Sequence, residues 1–131
     1  MKILIVILLC LGCSVCFAQQ EIDSFVTKAS WYSVASCKRE GTWQKYNGRM
    51  ANGKIFDDDK SICASWDYPF GTNLKVTNIS TGKTVEVRVS DKGPSKKLYR
   101  LGRKLDLSKA AFAQIANLEQ GVINVKVEQV R

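Results

Sequence analysis

Histidine is absent from all 131 residues. That removes Ser-His-Asp and Cys-His catalysis and any His-based zinc site. Acid–base chemistry must then fall to carboxylates, Tyr or Lys. The carboxylate in the most informative setting is Asp91, within Val87-Arg88-Val89-Ser90-Asp91-Lys92-Gly93-Pro94. Val85, Val87 and Val89 alternate with Glu86, Arg88 and Ser90, the period of a half-buried strand. Continuing the pleat gives Asp91 the parity of the valines and turns its carboxylate toward the apolar side. A charge there is costly unless it is hydrogen-bonded or opens into a cleft. Gly93-Pro94 ends the strand and leaves Asp91 at its mouth. Two readings fit: an acid catalyst, or a turn aspartate bonding its own backbone.

Other candidates carry two readings as well. Asp57-Asp58-Asp59 lacks the ligand spacing of a cation site and reads as a solvated loop or helix start, so no metal is expected. Trp66 and Tyr68 could stack on a sugar face or sit in the core. Lys96 to Lys104 holds five basic residues in nine, either a solvated loop or a rim that attracts an acidic polymer.

The elements that must position these groups follow from pattern. Phe25, Thr27, Ala29 and Trp31 alternate with Val26, Lys28, Ser30 and Tyr32 as a first strand. Leu74 and Val76 begin a hairpin that turns at Ser80-Thr81-Gly82, and Ile123, Val125 and Val127 form the inward side of a last strand. Ser36 to Asn47 reads as a long loop tied down at Cys37, and Asn52-Gly53 as a turn. Leu105-Asp106-Leu107-Ser108 leads into one helix, capped by Ser108 and carrying Ala111, Phe112, Ile115 and Ala116 on its apolar face through Asn117. The sum is a small, mostly β barrel with one helix.

The length allows one domain. Residues 1–18 read as a secretory signal, with Lys2, an apolar run from Ile3 to Leu11 and cleavage after Ala18. Lipid attachment at Cys13 would need a lipobox that Leu11-Gly12-Cys13 only partly provides. Cys37 and Cys63 then remain as an even pair in an exported chain, and a disulfide between them is expected. The net charge is +8, or +7 once Lys2 is removed. For an exported protein that points to an anionic cell-wall polymer or membrane surface rather than to nucleic acid.

Ala29-Ser30-Trp31-Tyr32, Ala51-Asn52-Gly53, Pro69-Phe70-Gly71-Thr72, Lys75-Val76-Thr77-Asn78, Val87 to Pro94 and Leu105 to Phe112 resemble, in order, the rare lipoprotein A domain. The resemblance runs through nearly all of residues 19–131. It implies a six-stranded double-psi β-barrel, shared in outline with expansins, and lytic transglycosylase activity on peptidoglycan strands stripped of stem peptides. A monomer that needs no cofactor is expected. Asp91 matches the family's aspartate of Asp-Arg-Gly-Pro, with Lys92 in place of the arginine. Tyr32, Asn52, Lys54, Ser65, Trp66 and Lys92 are the groove residues implied for substrate. Lys54 stands where family members usually carry glutamate, and Ser65 where they usually carry histidine. Those departures leave a second reading: a wall-binding or wall-loosening module that does not cut. A secreted inhibitor or effector on the same scaffold is the third.

Overall fold

The computed structural model describes residues 24–131. The signal segment 1–18 and Cys13 lie outside the described residues. Six strands close into a barrel in the order β1-β5-β2-β4-β3-β6. They are β1 (Ser24–Tyr32), β2 (Ile62–Ser65), β3 (Asn73–Asn78), β4 (Thr84–Asp91), β5 (Arg103–Ser108) and β6 (Val122–Gln129). Closure leaves no sheet edge to be protected. β1 runs parallel to β5, and β2 parallel to β4; the other four pairings are antiparallel.

The alternations read from sequence place their residues correctly. Leu74 and Val76 of β3, Val85, Val87 and Val89 of β4, and Ile123, Val125 and Val127 of β6 line one buried core with Ala29, Leu105 and Leu107. Each fully buried Val or Leu contributes roughly 1.5–3 kcal/mol relative to exposure. The helix after Ser108 closes one end of the barrel with Ala111, Phe112 and Ile115. Ser108 Oγ accepts from the Ala111 N–H (3.3 Å) and donates to the Lys60 carbonyl (2.7 Å). One hydroxyl thus caps the helix and ties down the preceding loop, a cap worth about 1 kcal/mol.

Several expectations change. Ser36 to Asn47 is not a loop but two short helices, α1 (Val34–Glu40) and α2 (Thr42–Lys45). Ser33 and Ser36 form a reciprocal capping box at the start of α1, and Gly41 ends it at φ 82°. Such a box is a local signal that the polar composition masked. A third short helix, α3 (Lys96–Arg100), follows Pro94. The helix after Ser108, α4 (Lys109–Ile115), stops before Asn117, and Leu105 to Ser108 is strand rather than a lead-in.

The expected Cys37–Cys63 bridge is absent: both are free thiols. Cys63 points into the barrel core, whereas Cys37 packs outside it against the satellite cluster of Met50, Phe56 and Ile62.

Candidate active site

Strand β4 carries a bulge at its end. Cys63 pairs with Val89, but Ala64 pairs with Asp91, so Ser90 is an extra residue. A bulge shifts parity by one. Val89 and Ser90 are both buried, and Asp91 emerges half-buried on the outer face. The simple pleat, which would turn Asp91 inward, is therefore wrong at this residue.

Ala64 also pairs with Asp106, and Asp106 with Ser30, which pairs with Val122. Asp106 sits between the inward leucines 105 and 107, so this whole row faces outward. Five strands thus present Asp91, Ala64, Asp106, Ser30 and Val122 side by side. Two strand spacings of about 4.8 Å each separate the backbones of the two aspartates. Ala64, itself buried, puts only a methyl between them.

Each acid is held differently. Asp91 Oδ1 accepts from the Ala51 N–H (3.1 Å) and from the Lys92 N–H (2.9 Å). Asn52 N–H reaches the Ser90 carbonyl (3.3 Å). The hairpin around Asn52 therefore docks on the bulge and fixes the carboxylate. Asp106 accepts from the Ser30 hydroxyl and from Arg103 Nη2 (3.4 Å). Burial pushes the Asp106 carboxyl above its ordinary value. The Ser30 hydrogen bond and the Arg103 charge pull it back, and the Asp91 charge pushes it up again. The raised side wins, so Asp106 holds a proton more readily than a solvated aspartate.

Tyr32, on the same outer face, stacks on Phe56 with ring centroids 4.5 Å apart. Its phenol is pushed far up, first by burial and then by the Asp91 charge, so it remains a neutral donor. Among the described residues, Tyr32 Oη and Arg103 Nε are the buried side-chain polar atoms with no hydrogen-bond partner. Arg103 pairs with Asp106, and the charges of Asp91 and Asp106 both act on Tyr32, so each unspent donor lies beside the acidic row, at a different point along it. Unpaired buried donors are rare in native structures and call for an explanation such as a ligand.

The other expected site residues separate. Trp66 is 42% exposed and donates from Nε1 to the Pro94 carbonyl (2.7 Å), which joins it to the loop after Asp91. Lys92 is exposed and touches the site through its backbone. Asn52 Oδ1 accepts from the Lys54 N–H (3.0 Å), making a turn that leaves Lys54 exposed. Ser65 pairs with inward Leu105, is buried, and accepts from the Asp67 N–H (3.1 Å). It faces away from the groove. Tyr68 packs on Phe25 against the core. Asp57, Asp58 and Asp59 bring their carboxylates together at the surface. Asp58 Oδ2 accepts from the first N–H of α1, at Val34 (2.8 Å), which gives that residue a structural role.

Asp106, Arg103 and Ser30 are the groove residues that sequence reasoning passed over. The signal was present: Asp106 alternates with two leucines, which places it opposite the core.

The family model described as lytic transglycolase matches residues 26–127. The chain belongs to that family. Its barrel is of the double-psi, rare lipoprotein A-like kind. It is 39% identical over 87 residues to a probable endolytic peptidoglycan transglycosylase of Treponema pallidum, covering 66% of this chain and 26% of that protein. Its identity to the endolytic peptidoglycan transglycosylase of Vibrio cholerae is 36% over 104 residues, covering 79% and 34%. The chain thus spans about a quarter to a third of these curated relatives. Among solved structures, a Streptomyces papain inhibitor superposes with a TM-score of 0.60 at 26% identity, over 82% of this chain and 94% of the inhibitor. An expansin of Clavibacter michiganensis, solved with cellohexaose, gives 0.56 at 23% identity over 82% of this chain and 50% of that one, a likeness of fold.

The raised Asp106 carboxyl has a consequence for stability. A carboxyl whose folded value lies above its unfolded one favours the native state while protonated, at pH below the unfolded value of 3.8. That contribution is lost as pH rises through the folded value. Asp106→Asn keeps the acceptor for Ser30 but has no charge to bury. Its melting temperature should match or exceed that of the parent at neutral pH, and the difference should vanish below about pH 4. Parallel thermal melts of both proteins from acid to neutral pH check this.

Proposed function

We propose that this chain is an endolytic lytic transglycosylase acting on peptidoglycan glycan strands outside the cytoplasm, as a monomer. The observation that carries the reading is the outward row in which Asp91 and Asp106 flank Ala64. A lytic transglycosylase breaks the bond between C1 and the glycosidic oxygen and closes the sugar's own C6 hydroxyl onto C1. The carboxyl proton passes to the leaving oxygen, and the C6 hydroxyl proton passes to a carboxylate. Asp106, which keeps its proton more readily, suits the first role. Asp91, at the rim and fixed by two backbone donors, suits the second. Proton exchange with solvent restores the pair. No water need be activated, unlike the route of an inverting hydrolase.

In this reading Tyr32 Oη and Arg103 Nε donate to sugar oxygens, and Trp66 offers a ring face at one end of the groove. Strands stripped of stem peptides are the preferred substrate. Incubation of the purified chain with such strands should release products ending in 1,6-anhydro sugars, identified by mass. Intact strands after prolonged incubation would end the proposal.

A second reading has its own support. Lys54 cannot act as an acid, and Ser65 is turned into the barrel, so two positions that the family resemblance associates with the groove contribute no acid–base group here. A non-catalytic module would sediment with insoluble wall material and release no sugar.

A further inference from the structure

Six basic residues and no acidic one lie between Lys92 and Lys104. Most fall on α3 and the start of β5. Among the described residues the ion pairs are Arg103–Asp106 and Lys126–Glu128. Lys92, Lys96, Lys97, Arg100 and Lys104 therefore keep their charge without an acidic partner within ion-pair distance.

Aromatic rings hold two of these cations instead. Lys96 Nζ lies 5.1 Å over the Trp66 ring. Lys104 Nζ lies 5.1 Å from the Tyr99 ring and 5.9 Å from that of Phe25. The Tyr99 hydroxyl is itself anchored on Asp67 Oδ1. A ring fixes an ammonium in place without neutralising it. The result is a positioned positive strip, joined to the groove where Trp66 Nε1 meets the Pro94 carbonyl.

Like charges gathered this closely raise the local potential and concentrate anions. A string of positions along a helix and a strand suits a polymer better than a single small anion. The density of negative charge on that polymer is limited by Asp67 and Asp91, which flank the strip. A nucleic acid, with a charge about every 1.7 Å of duplex axis, would be pressed against both. A polysaccharide with carboxylates at intervals would meet the lysines and pass the aspartates.

We propose that the strip formed by α3 and the start of β5 binds carboxylates carried by the glycan strand in the Asp91–Asp106 groove, so that the chain selects acidic over neutral polysaccharide. This rests on the groove being a glycan site and adds the chemistry by which the strand is chosen.

Immobilised glycan strands freed of stem peptides provide the test, used native and after their carboxylates are converted to methylamides. The parent protein should bind native strands roughly tenfold or more tighter than amidated ones. The gap should close as salt rises from about 0.05 to about 0.5 M, because screening shortens the reach of exposed charges. Lys96→Gln, Lys97→Gln and Arg100→Gln combined should remove the preference while leaving binding to amidated strands unchanged. Equal binding of the parent protein to both forms overturns the proposal without recourse to any variant. A combined variant that keeps the preference also overturns it, as does duplex DNA that displaces native strands at equal charge concentration. Asp91→Asn should retain the preference. Preference without cleavage would then count against the transglycosylase reading alone, and cleavage without preference against the strip alone.

Discussion

Asp91→Asn and Asp106→Asn should each slow release of anhydro sugars by about 10²–10⁴-fold, the usual loss when a positioned acid or base is removed. Both changes are nearly isosteric. Asn at position 91 keeps an oxygen for the Ala51 and Lys92 N–H groups, so the hairpin around Asn52 stays docked. Asn at position 106 keeps an acceptor for the Ser30 hydroxyl. Loss of activity with no fall in melting temperature would therefore report chemistry rather than unfolding. The two changes should also be far from additive, because an acid and a base that serve one step fail as a unit. Full activity in Asp106→Asn would leave Asp91 to give and recover the proton by itself. Full activity in both would move the reaction out of this groove.

Gly93→Ala should destabilise the fold and disturb the site together. Gly93 sits at φ 134°, in the region that side chains rarely adopt. A β-carbon there would lie 2.6 Å from Trp66 Cδ1, 2.8 Å from Nε1 and 3.1 Å from the Trp66 backbone nitrogen. The indole is held by its bond to the Pro94 carbonyl, so it has little freedom to withdraw. Backbone strain alone costs about 1–3 kcal/mol, and each kcal/mol lowers the melting temperature by about 4–8 °C in a domain near this size. The remaining folded protein should bind glycan strands more weakly, since Trp66 and the loop carrying Asp91 share this contact. Thermal unfolding by circular dichroism and strand retention on the same sample test it. An alanine variant with parental melting temperature and retention would show that Trp66 is free to move, contrary to its packing here.

The groove was only partly legible beforehand. A charge at the end of a valine strand makes Asp91 conspicuous in sequence, yet the simple pleat predicts its orientation wrongly because of the bulge. No periodicity announces an extra residue in a strand; the pairing with β2 decides it. Position in a motif points Lys54 and Ser65 to the groove. Their side chains go elsewhere because one follows a turn and the other has the parity of Leu105.

By itself the sequence determined that this is a small, mostly β domain, because valine and leucine alternation over four strands demands a shared core, and the ordered family motifs point to the barrel. It also determined that any acid–base work falls to carboxylates, since histidine is missing. Tertiary structure alone decided which carboxylates meet. Asp91 and Asp106 become neighbours because β2 lies between β4 and β5 in the barrel, an order that local propensity does not encode. Lys96 of α3 and Lys104 of β5 likewise acquire their orientation from rings contributed by the segment after β2, by α3 and by β1. Long-range pairing costs chain entropy before any contact returns it, so its outcome depends on the whole set of strands rather than on any one stretch.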